Sequence, residues 1–442
     1  MLKIIFSFTV FLYSLITFGQ YNWTNLDGAP YNGGKQDGIF FIDKNTGWVV
    51  NGSGKIYKTN DGGLTWIQQR NSPGTYFRSV AFVNDQVGFA GNVGPNYFPG
   101  VTDANPLYKT IDGGNSWASV TANITGIVPT GICAIQVVNE NVIYAAGRVG
   151  TPTVIMKSID GGNNWVGTNL SNECRMILDI HFQTDQIGYV FAGTSNNINN
   201  SKARILRTTD GGATWTNVFT TTRTYEIFWK ASFPSENVGF ATIQSYNTAT
   251  TQRYIVKTTD GGLTWTELPL ANSGVREFGI GFINENVGWV GGENNGYETL
   301  DGGLSWTSKD IGQYANKMSV VSNTDGSKTC YAVGLNVYKM ETSNLSTTTV
   351  LQKKNNPLMY PNPATSGGLV SIALDEIKAK ITKAELIGID GKSTEILFNN
   401  YFEGTRESPF MFYLPSVAVG EYIVKFTDEK NAVYRQKILI TK

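Results

Sequence analysis

The chain has 442 residues with 35 basic and 35 acidic side chains, and only 16% of its residues are charged. This balance gives no global attraction to nucleic acid or to an anionic membrane surface, so we expect no nucleic-acid partner. A single histidine, His181, and three cysteines are too few for a histidine- or cysteine-rich zinc site or a disulfide framework. We therefore expect no metal and no cofactor.

The N-terminus, residues 1–19, reads MLKIIFSFTVFLYSLITFG. One lysine precedes an apolar stretch of about 15 residues, which is typical of a secretory signal peptide and short for a membrane-spanning helix. We expect cleavage near Gly19 and Gln20. The alternative is a retained N-terminal anchor. No other segment of the sequence has the length and hydropathy of a transmembrane anchor.

Six copies of one short motif follow at a spacing of 41 to 51 residues. They read TNDGGLTW (59–66), TIDGGNSW (110–117), SIDGGNNW (158–165), TTDGGATW (208–215), TTDGGLTW (258–265) and TLDGGLSW (299–306). Repeats of this period are typical of propellers and solenoids. The repeated aspartates and tryptophans are Asp61, Trp66, Asp112, Trp117, Asp160, Trp165, Asp210, Trp215, Asp260, Trp265, Asp301 and Trp306.

Between these boxes lies an aromatic–turn–glycine–aromatic pattern, such as FVNDQVGFAGN (82–92), in seven copies. Each copy predicts a β-hairpin, and the runs on either side of the DGG turn predict a third and a fourth strand. Four antiparallel strands per repeat indicate a propeller blade. The seventh copy lacks the tryptophan box, and YNWTNL (21–26) resembles the missing strand. We predict a seven-bladed propeller over residues 20–342, closed by this N-terminal strand.

The boxes have a predicted structural role. The aspartate side chain can accept hydrogen bonds from turn N–H groups, and the glycines can adopt positive φ angles. The tryptophan can bury a large apolar face between neighbouring blades. One carboxylate per distant turn does not supply the six or more oxygen ligands of a Ca²⁺ site.

These boxes resemble the Asp-box, or bacterial neuraminidase, repeat. Together with the Gly–aromatic hairpins, the seven copies are similar to the propeller family of photosystem II assembly and stability factors, over roughly 320 of the 442 residues. The resemblance implies the fold, and it implies a protein partner bound through a basic patch. Fold alone does not determine activity.

Two enzyme families carry the same box, so a glycoside hydrolase is the alternative function. Sialidases need a Phe/Tyr-Arg-Ile-Pro motif, for which FRSV (77–80) is the nearest string and lacks the proline. Xyloglucanases use two tandem propellers, whereas one is predicted here. Glycoside hydrolysis requires a pair of carboxylates across one site. The sequence nominates no such pair and no catalytic residue.

Long loops between the second and third strands predict a binding face. They are 93–106, 194–203 and 244–252, and they share that face with the segments that join the blades. A basic rim with aromatic side chains above it suits a peptide carboxylate or an acidic glycan. The candidate ligand-binding residues are Arg78, Tyr97, Phe98, Arg175, Lys230, Tyr246, Arg276 and Lys317. Acidic residues share these segments, so a mixed, solvated loop surface is the alternative interpretation.

After the repeats, residues 343–356 are polar and predict a linker. Residues 357–442 contain short alternating strands that predict a small Ig-like β-sandwich. YPNP (360–363), IDGK (389–392) and GEYIVKF (420–426) resemble the type A C-terminal sorting domain of the type IX secretion system. The positions that carry this resemblance are Tyr360, Pro361, Asn362, Pro363, Gly391, Lys392, Gly420 and Tyr422.

This second resemblance implies export across the outer membrane of a Bacteroidetes-type Gram-negative bacterium, with the secretion machinery as a partner of residues 357–442. An Ig-like module that binds ligand is the alternative. Three isolated thiols are the default expectation for the cysteines, and a disulfide between Cys133 and Cys174 is the alternative. In sum, the sequence predicts an all-β chain, secreted or on the cell surface, that binds an extracellular protein or glycan.

Overall fold

The computed structural model describes residues 21–30, 34–147, 152–273, 276–342, 358–373, 380–388, 392–397, 410–429 and 433–442. The chain divides into two compact units between residues 344 and 345. The predicted signal peptide (1–19), the predicted linker (343–356) and Gly391 lie outside the described residues.

Seven sheets form the described part of the first unit, and their strands pair antiparallel except for one pair in sheet 3. Strand β1 (Thr24–Asn25) belongs to the last of them. Sheet 1 contains β2 (Gln36–Phe41), β3 (Gly47–Asn51), β4 (Lys55–Thr59) and β5 (Ile67–Asn71). Sheet 2 contains β6 (Phe77–Phe82), β7 (Gly88–Asn92), β8 (Leu107–Thr110) and β9 (Ala118–Ser119). Sheet 3 contains β10 (Ile124–Gly126), β11 (Ile132–Val137), β12 (Ile143–Gly147), β13 (Val154–Ser158) and β14 (Trp165–Asn169).

The remaining sheets of this unit repeat the arrangement. Sheet 4 contains β15 (Met176–Phe182), β16 (Gly188–Gly193), β17 (Ala203–Thr208) and β18 (Thr216–Thr220). Sheet 5 contains β19 (Glu226–Ser232), β20 (Gly239–Ser245), β21 (Gln252–Thr258) and β22 (Thr266–Asn272). Sheet 6 contains β23 (Glu277–Phe282), β24 (Gly288–Gly292), β25 (Gly296–Thr299) and β26 (Thr307–Lys309). Sheet 7 contains β27 (Lys317–Ser322), β28 (Lys328–Val333), β29 (Val337–Glu341) and β1.

The sheets form a closed ring. Each sheet has one innermost strand, and the innermost strands of neighbouring sheets contact each other. In ring order they are β2, β6, β11, β15, β19, β23 and β27, and β27 contacts β2. These innermost strands are largely buried, as in the run Phe77–Phe82, whereas the fourth strands are largely exposed. The chain is therefore an all-β propeller, as the repeats predict.

The N-terminal strand completes the outer edge of sheet 7. Thr24 and Asn25 pair antiparallel with Lys339 and Tyr338 of β29. Leu26 is buried, and its N–H donates to the carbonyl of Val337 at 3.0 Å. The first and last parts of the unit are joined by these contacts, which cover the edge of β29.

Sheet 3 departs from the expected four antiparallel strands. After the short strand β9, a 3₁₀ turn (Thr121–Asn123) leads into β10, which pairs in parallel with β14. The segment between the second box and the next inner strand is long enough to leave sheet 2 and cover the edge of its neighbour. The expectation of four strands in every repeat is wrong for this sheet. A second 3₁₀ turn covers Ile198–Asn200.

Each Asp box forms the same turn between the third and fourth strands. In the fifth box, Asp260 Oδ1 accepts the Thr258 hydroxyl at 2.8 Å and the Thr264 N–H at 3.0 Å. Its Oδ2 accepts the Thr264 hydroxyl at 2.6 Å. Both glycines of each box adopt positive φ angles, between 67° and 98°. A side chain at either position would be strained, so the turn requires glycine there.

Box tryptophans and lysines of the third strand join neighbouring sheets. Phe240 of sheet 5 stacks on Phe282 of sheet 6 at 3.7 Å, and Trp306 meets Phe282 edge-on at 6.2 Å. Lys257 lies over the Phe240 ring at 5.2 Å and donates to the carbonyl of Gly302 at 2.9 Å. Lys109 and Lys157 make the equivalent bonds to the next box. We call this arrangement the inter-sheet latch.

The latch takes a different form at the junction of sheets 6 and 7. Sheet 7 carries no box, and Glu298 stands where the other third strands carry lysine or arginine. Glu298 accepts the Trp289 indole N–H at 2.8 Å and pairs with Lys309. Tyr21 and Trp23 meet Trp289 edge-on at 5.3 and 5.8 Å. Aromatic side chains from the N-terminus thus fill the place of a box.

The described part of the second unit contains two sheets on one hydrophobic core. One sheet contains β30 (Leu358–Tyr360), β32 (Leu369–Ala373) and β35 (Phe410–Tyr413). The other contains β31 (Ala364–Thr365), β33 (Ile381–Gly388), β34 (Ser393–Glu395), β36 (Gly420–Asp428) and β37 (Val433–Thr441). Val370, Phe412, Leu386, Val424 and Ile438 are among the buried side chains that the two sheets share.

Several of the predicted sorting positions stabilise turns of this unit. Asn362 Oδ1 accepts the Leu439 N–H at 2.9 Å, and the Lys392 carbonyl accepts the Gly388 N–H at 2.9 Å. Gly420 begins β36, and the Tyr422 hydroxyl donates to the Ala418 carbonyl at 2.8 Å. Tyr360 ends β30, and Pro361 and Pro363 follow in the turn before β31.

All three cysteines are buried, and none forms a disulfide with another described residue. The alternative of a Cys133–Cys174 disulfide is therefore wrong. Cys133 lines the axial cavity described below, whereas Cys174 packs in the core between sheets 3 and 4. In the described part of the chain, no helix reaches the length and hydropathy needed to cross a membrane.

Candidate functional site

A cavity of about 540 Å³ lies where the innermost strands of the propeller begin. Every one of the seven sheets, or the segment leading into it, contributes to its wall. The lining residues are Lys35, Tyr76, Arg78, Val93, Tyr97, Phe98, Cys133, Met176, Leu178, Asn196, Ile198, Ile227, Trp229, Gln244, Tyr246, Arg276 and Tyr314. We call this space the axial cavity. It lies on the face of the propeller where the long loops were predicted to form a binding surface.

Two aromatic side chains of the first long loop stand at the wall beside Tyr76. Phe98 stacks on Tyr76 at 4.5 Å, and Tyr97 meets Phe98 edge-on at 4.6 Å. Tyr97 remains 41% exposed. The loop between β7 and β8 is fixed by Asp103, whose Oδ2 accepts the hydroxyls of Thr75 and Tyr108, both at 2.6 Å. An ordered loop presents this aromatic surface at little cost in conformational entropy.

Three cations line the same space. Arg78 is 8% exposed and its Nη1 lies 3.4 Å from Asp37 Oδ1, while Lys35 Nζ lies 3.8 Å from the same oxygen. Burial lowers the pKa of Lys35, Asp37 opposes that shift, and Arg78 and Arg276 lower the pKa further. These cations therefore act on one another inside a partly desolvated space, where such interactions are stronger than in water.

Arg276 is the most accessible of these cations. Its side chain is 44% exposed and pairs with Glu293 at 2.9 Å. The guanidinium lies 5.5 Å from the Tyr246 ring centroid, in reach of a cation–π interaction. Burial raises the pKa of the Tyr246 hydroxyl, which donates to Gln244 Oε1.

Trp229 lines the cavity and contacts several sheets. It belongs to β19, but its indole N–H donates to the Asn316 carbonyl of the segment before β27 at 3.1 Å. The guanidinium of Arg78, on β6, lies 4.8 Å from the ring centroid. The indole therefore joins sheets 5, 7 and 2 across the ring.

Strained backbone is concentrated at the cavity. Among the described residues, Asn96, Tyr225 and Tyr314 are the non-glycine residues with positive φ, at 64°, 65° and 55°. Asn96 precedes Tyr97, Tyr314 lines the cavity, and the Tyr225 carbonyl accepts the Tyr246 N–H at 2.8 Å. Such conformations cost free energy and cluster at functional sites.

The structure brings five of the eight candidate binding residues together in the axial cavity: Arg78, Tyr97, Phe98, Tyr246 and Arg276. Arg175, Lys230 and Lys317 are not among its lining residues. Lys230 was expected at the rim, but it is buried within β19 and donates to the Leu178 carbonyl at 2.6 Å. Burial lowers its pKa to about 8, which the nearby Asp179 opposes. His181 stacks on Phe233 at 4.1 Å, and burial lowers its pKa to about 4.

Sequence reasoning missed Lys35, Tyr76 and Trp229. Lys35 and Tyr76 each precede an innermost strand, as Arg276 does, so their positions in the repeat carried a usable signal. Trp229 lies inside such a strand, where most aromatic residues pack between sheets. Only its contacts across the ring distinguish it.

No lining residue that the structure describes is aspartate or glutamate. The nearest acids, Asp37 and Glu293, are engaged by the cations. Within the described ranges, no three His, Cys, Asp or Glu side chains are grouped so that they could hold a metal ion. What the cavity offers a ligand is aromatic and apolar surface with positive charge.

Comparison by sequence finds no matching family model and no matching curated protein. Comparison with solved structures does find similar chains. A YCF48 protein solved with a bound D1 peptide has a TM-score of 0.53 at 16% identity, over 74% of this chain and 98% of that one. YCF48 from Cyanidioschyzon merolae has a TM-score of 0.51 at 17% identity, over 72% and 98%.

Longer structures match a larger share of the chain. The extracellular domain of the one-component system BT4673 from B. thetaiotaomicron has a TM-score of 0.51 at 11% identity, over 96% of this chain and 60% of that one. An ancestral GH74 enzyme has a TM-score of 0.52 at 13% identity, over 94% and 63%. At these identities the likeness concerns the fold. The prediction of a propeller similar to photosystem II assembly factors is thereby confirmed as a statement of fold.

Proposed function

We propose that this protein is an exported binding propeller whose axial cavity takes a short segment of an extracellular protein. One observation carries the proposal: aromatic and cationic side chains from sheets 1, 2, 5, 6 and 7 converge on a single cavity, and the described lining contains no carboxylate. Its volume of about 540 Å³ suits a few residues of an extended chain. The YCF48 structure with a D1 peptide supports a peptide as the ligand class.

The glycoside hydrolase alternative receives no support from this lining. Retaining and inverting glycosidases place two carboxyl groups across the scissile bond, about 5–10 Å apart. Asp37 is 2% exposed beside Arg78 and Lys35, and Glu293 pairs with Arg276. Both carboxylates are engaged by these cations, and neither residue is among those that line the cavity.

The test is binding of the purified protein to an array of peptides of defined sequence, with a glycan array in parallel. We expect selective retention of a subset of peptides, reduced at least tenfold in a Tyr246→Ala/Arg276→Ala variant. Lys44→Ala is the matched control, because this exposed lysine lies in the turn at the opposite end of β2. A folded sample that retains glycans and no peptide would contradict the peptide assignment.

We also propose the export route. Residues 1–19 would direct the chain across the inner membrane and be removed, and residues 357–442 would act as the sorting domain of the type IX secretion system. The support is that residues 1–19 have the pattern of a secretory signal peptide and that residues 357–442 resemble a type A sorting domain. A reporter fused to residues 357–442 should reach the medium or the surface of a bacterium that has this system. Retention of the reporter in the periplasm would contradict the proposal.

A further inference from the structure

The wall of the axial cavity is divided into two halves of different chemistry. Sheets 6, 7, 1 and 2 contribute its cations and much of its aromatic surface, with Arg276, Tyr314, Lys35 and Arg78 in ring order. Sheets 3, 4 and 5 contribute most of its thiol, thioether and aliphatic side chains, which are Cys133, Met176, Leu178, Ile198 and Ile227. Sheet 5 adds the rings of Trp229 and Tyr246, and the amides of Asn196 and Gln244 complete this half.

The cationic half brings three positive charges to one part of the wall. Lys35 and Arg78 lie beside Asp37, and Arg276 pairs with Glu293. The guanidinium of Arg78 lies 4.8 Å from the Trp229 ring centroid, and that of Arg276 lies 5.5 Å from the Tyr246 ring centroid. Their charges are therefore directed into the shared cavity.

The apolar half is built from one buried cluster. Met176, Leu178 and Ile227 are 4%, 6% and 4% exposed, and they form this cluster with Trp229. An inserted group therefore meets aliphatic surface on one side and cationic side chains on the other.

We propose that the recognised group is a carboxylate carried next to an apolar side chain. The carboxylate faces Arg276, Arg78 and Lys35, and the apolar side chain lies on Met176, Leu178 and Ile227. Charge-assisted hydrogen bonds to guanidinium groups give orientation, and burial of the apolar side chain gives affinity. The inference rests on the proposed function and names the ligand chemistry of that same cavity.

Two sources supply this chemistry: the terminal carboxylate of a chain that ends in an apolar residue, and an aspartate or glutamate beside an apolar residue within a chain. Four fluorescein-labelled hexapeptides distinguish them in a polarisation assay with the full-length protein. The first ends in phenylalanine with a free carboxylate, and the second is its amide. The third ends in serine with a free carboxylate. The fourth is an amide with an internal Glu-Phe pair.

We expect the first or the fourth peptide to bind at least tenfold more tightly than the second and the third. Arg276→Gln, at an accessible side chain, should weaken that binding at least fivefold, and Met176→Gln should do so from the apolar half. Lys44→Gln should bind as the wild type does. Thermal melting of each variant separates loss of binding from loss of fold.

Two kinds of failure are distinguishable. If neither the first nor the fourth peptide binds more tightly than the second and the third, this inference is overturned and peptide binding is left intact. No binding of any of the four by protein that still retains its array peptides would do the same. A folded protein that binds nothing on the array contradicts the proposed function itself.

Discussion

At the scale of single residues, the boxes show how a charged side chain can serve a turn. Each aspartate accepts hydrogen bonds from a threonine or serine two residues before it and from the residue four positions after it, as Asp61 does with Thr59 and Thr65. Both oxygens of the carboxylate accept hydrogen bonds from residues of the turn, as in Asp61, and these bonds favour the ionised form. The aspartate of each box therefore stabilises a turn, and this role does not depend on what the axial cavity binds.

This geometry predicts an acid limit of stability. Hydrogen bonds from residue 264 lower the pKa of Asp260 from 3.8 to about 2, and the aspartates of four further boxes are lowered to the same value. A carboxyl group whose pKa is lower in the folded than in the unfolded state stabilises the fold at pH values above its unfolded pKa. This stabilisation is lost as the pH falls from about 4 to 2. Chemical denaturation from pH 6 to 2 should show a steep loss of unfolding free energy in that window. An Asp260→Asn/Asp160→Asn variant should show a shallower loss, and an identical slope would contradict this account.

At the scale of elements, the strongest dependence is on the N-terminal strand. Leu26 is buried against sheets 1 and 7, and Tyr21 and Trp23 cover Trp289. Elsewhere in the ring the fourth strand follows directly on the third. Sheet 7 instead receives its fourth strand from the other end of the unit, so the ring is closed by a long-range strand pairing.

Replacement of Leu26 by alanine should lower the unfolding free energy by about 2–5 kcal/mol, the range for a buried leucine. Deletion of residues 21–26 should cost more, because the edge of β29 is then also exposed. Thr24→Ala is the control, since Thr24 is exposed. Denaturant unfolding measures all three, and a deletion variant with an unchanged midpoint would refute closure by this strand.

The inter-sheet latch gives a second element-scale expectation. Lys257→Ala removes a charge-assisted bond to the Gly302 carbonyl and a cation–π contact with Phe240. We expect a loss of about 1–2 kcal/mol in unfolding free energy. Lys55→Ala is the matched control, as Lys55 lies on the third strand of sheet 1 with no side-chain bond to the described residues. Equal effects of the two substitutions would argue against the latch.

At the scale of the whole molecule, the candidate site belongs to one unit. All seventeen lining residues of the axial cavity precede residue 344, and the second unit has its own hydrophobic core. Each unit therefore has the internal contacts of an independently folding domain.

We expect residues 21–342, expressed alone, to fold and to bind the array peptides with the affinity of the full chain. Circular dichroism and the polarisation assay measure the two properties on one sample. Residues 357–442 alone serve as the control and should bind none of these peptides. A folded propeller unit that has lost binding would show that the second unit contributes to the site.

The sequence by itself determined the repeat, and with it the fold. Glycines with positive φ, an aspartate that closes the turn and an apolar tryptophan are local requirements, so they are visible in each box as a motif. Arg78, Tyr97, Phe98, Tyr246 and Arg276 were also accessible to prediction, because strand order places the start of each inner strand and the long loops on one face. The extra strand of sheet 3 was not, since no local pattern marks a segment that crosses to a neighbouring sheet.

Only the tertiary structure decided what the axial cavity is made of. Lys230 and Arg276 were both predicted at the rim, yet Lys230 lies inside β19 with its amine on the Leu178 carbonyl, and Arg276 lines the cavity. Trp229 is held at the cavity wall by a hydrogen bond to Asn316, 87 residues away. Such contacts depend on how seven separate sheets meet around an axis. The division of the wall into a cationic and an apolar half is likewise a property of the closed ring and of no single repeat.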